Sequence, residues 1–255
     1  MTSTRRALGP LFWLILIAAL ASVLATASLG RWQLARAAEK EALQARIDER
    51  TRQPAIDGRS LLAPAGPEAQ QALVHRSVAL QGRWLPQHTV YLDNRQMQGR
   101  PGFFVLTPLQ LVDSNAVVLV QRGWAPRNFQ DRMQLPPVQT PDGTVQVAGR
   151  VALPPSRLYE FEGGDSAKGS SRIRQNLDLA AFRAETGLAL APLTVLQTGD
   201  AAEGLSRDWP VIGAGVDKHY GYAFQWFGLC GLIALLYVWF QIVRRFIRPR
   251  SQPGT

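Results

Sequence analysis

The stretch DKHYGYAFQWFGLC, beginning at Asp217, sets a histidine among aromatic residues where a polar region gives way to an apolar run. On a helix beginning at His219, Tyr222 or Ala223, Trp226 and Cys230 follow on the same face at steps of three and four. A second polar group, Trp32, Gln33 and Arg36, follows an N-terminal apolar run. An imidazole can ligate haem iron through a ring nitrogen, and a guanidinium can pair with carboxylates such as haem propionates. The faces of Tyr222 and Trp226 can line a flat macrocycle. The same residue types also suit a plain membrane interface, where Trp and Tyr gather and a histidine at a helix end reaches water. The residues alone leave both readings open.

Other chemistry is sparse. His75 and His88 stand at strand entrances, and the chain has no Gly-x-Ser-x-Gly, no His-Glu-x-x-His and no phosphate-binding glycine loop before a helix. Glu160, Glu162 and Asp165 lack the spacing of a calcium loop and read as a solvated acidic turn. With a single cysteine, Cys230, the chain has no pair for an internal disulfide or a thiolate metal site. These absences argue against an enzyme. Arg95, Arg100 and Arg122 read as solvated charges or as contacts for lipid headgroups or a partner's acidic surface, and Gly123 and Trp124 as a bend with its packing.

Two uncharged runs, one from Leu8 to Gly30 and one from Tyr220 to Val243, are each long enough for a transmembrane helix, which needs about 20 residues. Arg5 and Arg6 precede the first; Arg244, Arg245, Arg248 and Arg250 follow the second; all 19 acidic residues lie between Glu39 and Asp217. The positive-inside rule then predicts a multi-pass protein of a bacterial inner membrane, both termini cytoplasmic and the intervening domain periplasmic. A cleaved signal peptide is the other reading of the first run, given Ala-x-Ala at Ala25 to Ala27, but the run exceeds the roughly 7 to 15 residues of a signal core. Removing the six terminal arginines from the formal +9 leaves +3, so much of the basic excess is topological and no nucleic-acid partner is expected. The predicted divisions are 1–7, a cytoplasmic N-terminus; 8–30, the first span; 31–218, the periplasmic domain; 219–243, the second span; and 244–255, a basic tail.

Within that domain, Trp32 to about Arg52 continues the first helix, with Leu34, Ala38, Ala42, Leu43 and Ile47 as a narrow apolar stripe. The segment from Pro54 to Gln71 reads as a loop with one helical turn near Pro67. Six β-like runs follow, starting at Arg76, His88, Gly102, Ala116, Thr144 and Ala191, and one helix from Asn176 is capped by Asp178 and ended by Gly187. Asp113, Ser114 and Asn115 suit a hairpin, Pro141 to Gly143 a tight turn, and Ser156 to Ser171 a flexible loop. The prediction is an α+β membrane protein with an antiparallel, barrel-like exported sheet. Ala18, Ser22 and Ala25, and Gly228 and Gly231, are expected where the spans pack closely.

Taken together, LGRWQLARAAEKEAL, YLDNRQMQGRPGFFVLTPLQL, VLVQRGWAPRN and KHYGYAFQWF resemble the Surfeit locus protein 1 family, assembly factors for haem-copper cytochrome c oxidase. The resemblance implies two spans around a large exported domain and a role in maturing the catalytic oxidase subunit, its partner, with haem a synthase as a further partner. Trp32, Gln33, Arg36, Arg122, Gly123, Trp124, His219, Tyr222, Gln225 and Trp226 match the family's motif positions. It implies transient binding of haem a, with His219 as iron ligand and Arg36, Trp32, Tyr222 and Trp226 around the cofactor. Glu39 stands where the family often has an aromatic residue before Lys40, which points to altered helix packing. A cofactor-free membrane scaffold is the competing reading; haem a synthesis is disfavoured by the lack of a second intramembrane haem ligand.

Overall fold

The computed structural model describes residues 9–112, 114–131, 134–158, 171–210 and 215–247, with side chains described as far as 243. The elements begin with helix α1 (Pro10–Arg52) and two short helices, α2 (Gly58–Leu62) and α3 (Pro67–Leu73). Strands β1 (Ser77–Trp84), β2 (Val90–Met97), β3 (Arg100–Leu111), β4 (Val117–Pro126), β5 (Thr144–Ala152) and β6 (Ile173–Arg174) follow. Helix α4 (Leu179–Thr186), strand β7 (Leu190–Gln197) and helix α5 (Val216–Tyr237), which continues as a π-helix over Val238–Ile247, complete the order. The chain divides into two compact units, one of Met1–Ala45 and Ile212–Thr255, the other of Arg46–Val211.

In the first unit, α1 and α5 are both long and apolar enough to cross a membrane, with mean hydropathy of 2.3 and 2.0 over their most apolar windows. Val23, Thr26, Gly30, Gln33 and Ala37 recur at steps of three and four and are withdrawn from solvent, as are His219, Ala223, Trp226, Cys230 and Ile233. This is the spacing of a narrow helix–helix seam. The rest of each apolar circumference is open, Leu14 to 67% and Phe224 to 79%, as a lipid-facing surface requires. Hydroxyls on α1 are satisfied within it: Ser22 Oγ donates to Ala18 O at 2.8 Å and Thr26 Oγ1 to Ser22 O at 2.8 Å.

The expected stripe of small residues is corrected here. Ala18, Ser22 and Ala25 are exposed, and a Cβ built on Gly228 or Gly231 would meet nothing within 4 Å. Close approach occurs instead at Gly30, where a Cβ would lie 2.8 Å from the Phe227 ring. The seam is displaced by about one residue from the predicted stripe, which moves it to another face of each helix.

The second unit carries a seven-stranded sheet in the order β1-β5-β7-β4-β3-β2-β6. β3 is long enough to serve two neighbours: Arg100–Leu106 pairs with β2, while Leu109, Gln110 and Leu111 pair with β1. Most neighbours are antiparallel, as expected, but β4–β7 and β2–β6 are parallel, so the antiparallel expectation is corrected to a mixed sheet. The chain reaches β7 only after β5, β6 and α4, and that long return brings it beside β4 in the same direction. β4 is buried from Val117 to Ala125 because its two faces enter different cores: Val118 and Val120 pack with Val78, Leu80 and Val147, whereas Val117 and Leu119 pack with Leu92 and Phe182.

Local signals place most of these elements. Asp178 Oδ1 accepts from Ala181 N at 2.9 Å to start α4, and Gly187, at φ 68°, ends it. Gln98 and Gly99, at φ 52° and 76°, make the two-residue turn between β2 and β3. The expected loop before the sheet contains two helices rather than one turn, the first capped by Asp57 Oδ1 accepting from Ser60 N at 2.8 Å. Five residues are too few to display a helical period. Asp113 of the predicted hairpin and residues 159–170 of the predicted flexible loop, with Glu160, Glu162 and Asp165, lie outside the described residues.

His75 joins α3 to β1 at φ 74°, with its N–H bonded to Val151 O at 2.9 Å. Burial, then the charges of Arg150 and Arg50, push its pKa below the usual 6.5. The folded state therefore binds fewer protons than the unfolded chain between the lowered value and about 6.5, and stability falls as pH drops through that window. His75→Asn, which tolerates the left-handed backbone, should lose less urea stability than wild type between about pH 7.5 and about pH 5.5. Equal losses in the detergent-solubilised proteins would refute the assignment.

Candidate functional site

Within the first unit, the seam brings one polar side chain from α1 against one from α5. His219 lies in the first turn of α5, part-buried, and its Nδ1 is 2.7 Å from Gln33 Oε1. An amide oxygen can only accept, so in this contact Nδ1–H donates, and in the neutral imidazole that tautomer leaves the lone pair on Nε2. Nε2 makes no hydrogen bond among the described residues. An imidazole held through one nitrogen with the other free is the usual form of a histidine ligand. Deeper in the seam, Cys230 Sγ donates weakly to Val23 O at 3.7 Å, so the thiol is engaged with backbone.

The other predicted residues of this unit are placed less directly. Of the two candidates one step along from His219, the structure puts Ala223 in the seam, while Tyr222 is 52% exposed. Trp226 is half-buried on the seam, and Trp32 and Gln225 are exposed. Arg36 donates through Nη1 to Glu39 Oε2 at 2.7 Å. Both side chains are more than half exposed, and such a pair contributes only about 0–1 kcal/mol. One contact was not foreseen: Tyr220 Oη donates to Glu41 Oε1 at 3.0 Å, a second polar link between α1 and α5.

Arg122, Gly123 and Trp124 belong to the second unit and form a cluster of their own. Between β3 and β4 the register steps from Val105↔Gly123 to Leu106↔Gln121, leaving Arg122 as the extra residue of a β-bulge. Its side chain is fully buried, and it donates to Thr140 Oγ1 at 2.8 Å, Gln139 O at 2.7 Å and Glu203 Oε2 at 2.8 Å. The guanidinium carbon also lies 4.7 Å from the Trp84 ring centroid. Arg207 joins the network, donating through Nε to Arg122 O at 3.0 Å and through Nη2 to Glu203 at 3.2 Å. Burial lowers the Arg207 pKa, and Glu203 opposes that shift.

Gly123 and Trp124 clamp the returning chain, consistent with their reading as a bend and its packing. A Cβ on Gly123 would come within 2.6 Å of Leu205 Cβ, and Trp124 exchanges both backbone hydrogen bonds with Ser206 at 2.8 Å. The solvated-charge expectation fails for Arg122 and also for Arg95. Arg95 is buried and donates to Ser156 O at 2.9 Å and Gln175 O at 3.0 Å, with its pKa lowered by burial. In both cases the planar fork finds carbonyl or carboxylate acceptors from distant parts of the chain. Arg100 does remain exposed, over Trp124 at 5.9 Å.

Residues 20–231 match the SURF1 family, a region containing Gly-x-Trp-Gln-x-x-Arg, Arg-Gly-Trp and His-x-x-Tyr-Ala-x-Gln-Trp. The chain belongs to the SURF1 family. A SURF1-like protein of Rickettsia felis is 28% identical over 218 residues, covering 83% of this chain and 89% of its own length. Surfeit locus protein 1 of Rattus norvegicus is 28% identical over 242 residues, 86% and 72% of the two chains, and that of Xenopus tropicalis is 25% identical over 256 residues, 92% and 76%. SURF1 proteins are generally known as oxidase assembly factors. Within the matched region, the stretches around Gln33 and His219 meet at the Gln33–His219 contact, and Arg122 to Trp124 build the Arg122 node.

In the second unit, sequence reading missed Glu203 and Arg207. Glu203 lies 81 positions from Arg122, and its one local oddity, φ of 61° at a non-glycine residue, is invisible in the sequence. Arg122→Met should lower urea stability by ~3–5 kcal/mol, as expected when one partner of a buried pair is removed. Glu203→Gln should cost less, because Gln139 O and Thr140 still hold the guanidinium. A loss below about 1 kcal/mol in Arg122→Met would show that the buried charge is dispensable.

Proposed function

We propose that this SURF1 protein is an assembly factor for a haem-copper cytochrome c oxidase, which holds haem a at His219 and passes it to the catalytic subunit. The observation that carries this reading is the contact of His219 Nδ1 with Gln33 Oε1, which leaves Nε2 free to bind iron. α1 and α5 are taken as membrane spans of a bacterial inner membrane, both termini cytoplasmic, with the sheet domain, barrel-like in its pairing, on the periplasmic side. The distribution of arginines and acidic residues along the chain supports that orientation.

Haem a is cargo in this reading, and the chain's residues have to bind it without keeping it. His219 is one ligand; among the described residues no group of three His, Cys, Asp or Glu is placed to hold a metal ion. A single imidazole can be displaced by an acceptor whose histidines compete favourably, which suits delivery. Trp32, Tyr222 and Trp226 supply aromatic faces, two of them open to an incoming planar ligand. Arg36 reaches a propionate only by exchanging Glu39 for it, and the exposure of that pair makes the exchange inexpensive. Haem a synthase is a natural donor on the same membrane. No step makes or breaks a covalent bond in the chain, so the role is that of a chaperone.

The test is an optical and pyridine-haemochrome spectrum of the full chain, co-expressed with haem a synthesis enzymes, for wild type and His219→Gln. Stoichiometric haem a in wild type and its loss from a folded His219→Gln protein is the expected result. A folded wild type without haem a would leave a cofactor-free scaffold for the oxidase subunit as the function.

A further inference from the structure

We propose that Gln33 is a positioning residue that sets the tautomer and donor strength of His219, and that its amide, in place of a carboxylate, keeps this ligand displaceable. The inference rests on His219 being the cargo ligand. It concerns a residue that would not touch the iron.

The geometry assigns the role. Gln33 Oε1 accepts from Nδ1 at 2.7 Å across the seam, so the imidazole plane is tied to α1 although its backbone belongs to α5. Gly30 and Ala37 flank Gln33 along the α1 stripe, Gly30 with the Phe227 ring against it and Ala37 fully buried, so the helix backbones can approach at this depth. Without the acceptor, the ring would rotate and populate both tautomers, one of which blocks Nε2 with a proton.

The identity of the acceptor decides how strongly His219 donates. A carboxylate at Nδ1–H draws the proton toward itself and gives the imidazole anionic character, which strengthens the metal bond and lowers the reduction potential of the iron; a neutral amide does so less. Nearby carboxylates on α1 are engaged elsewhere: Glu39 with Arg36 at 2.7 Å and Glu41 with Tyr220 at 3.0 Å. The histidine thus meets a neutral acceptor in a region that does contain acidic side chains. For a carrier, a weaker bond is the useful one, since retention opposes transfer.

Gln33→Glu is isosteric and Gln33→Leu removes the acceptor; both are compared with wild type as full-length, haem a-loaded proteins in detergent. Two quantities are read: the midpoint potential of the bound iron and the half-time of haem loss to excess apomyoglobin, a histidine acceptor. Gln33→Glu should shift the potential downward and lengthen the half-time, while Gln33→Leu should shorten it by about 10- to 100-fold, the usual cost of deleting a group behind a metal ligand. A haem-loaded wild type whose potential and half-time are matched by both variants would overturn the role of Gln33 while leaving His219 as ligand. A folded wild type that takes up no haem a would overturn the reading of His219 itself, and the role of Gln33 with it.

Discussion

A guanidinium with no exposed surface must be matched by acceptors, and Arg122 imposes that constraint on the whole sheet domain. As the extra residue of a bulge in a strand buried on both sides, it has to find acceptors inside the fold, and its two terminal nitrogens do so while Nε is left without one. Two come from the segment ahead of β5, Gln139 and Thr140, and one from Glu203 after β7. Segments separated by most of the domain are thereby fixed at one point. Gly123 and Trp124 complete the attachment by leaving room for Leu205 and pairing with Ser206, so three consecutive residues serve a single mechanical purpose. The burial of charge is costly by itself, and the cost enforces the arrangement: any register in which these acceptors are absent leaves a cation stranded.

The helical unit solves a different problem with fewer groups. In lipid, apolar surface gives no drive for two helices to associate, so small residues, close packing and polar contacts must do it. Gly30, Ala37 and Ala223 provide the closeness; Gln33 with His219 and Glu41 with Tyr220 provide the polar links. The same hydrogen bond that links the helices also fixes the orientation of the His219 ring. Gln33 and His219 lie 186 positions apart in the chain, and the helix pairing brings them into contact.

Much of this was legible in the residues. Alternation and turn chemistry placed the main strands to within a few residues, and Asp178 and Gly187 marked both ends of α4, because these signals are local. His219 was correctly grouped with Trp226 and Cys230, since helical spacing alone defines that face. What failed depended on distant partners. Arginines read as solvated were buried because acceptors such as Glu203 and Gln175 arrive from elsewhere; the parallel β4–β7 pairing reflects the route of a long connection. The helix seam was misplaced because small residues occur on several faces and only the partner helix chooses among them.

Gly82 shows what the extra pairing of β1 with β3 achieves. A Cβ there would lie 2.4 Å from Gln110 O, so any side chain would force the two strands apart where they meet. While they remain together, the pairings run β1, β5, β7, β4, β3 and back to β1, and backbone groups along that circuit have neighbours on both sides. Parting them would create two free edges, which are templates for sheet extension between molecules. Glycine at this position thus keeps covered two strand edges that could otherwise extend a sheet into another molecule.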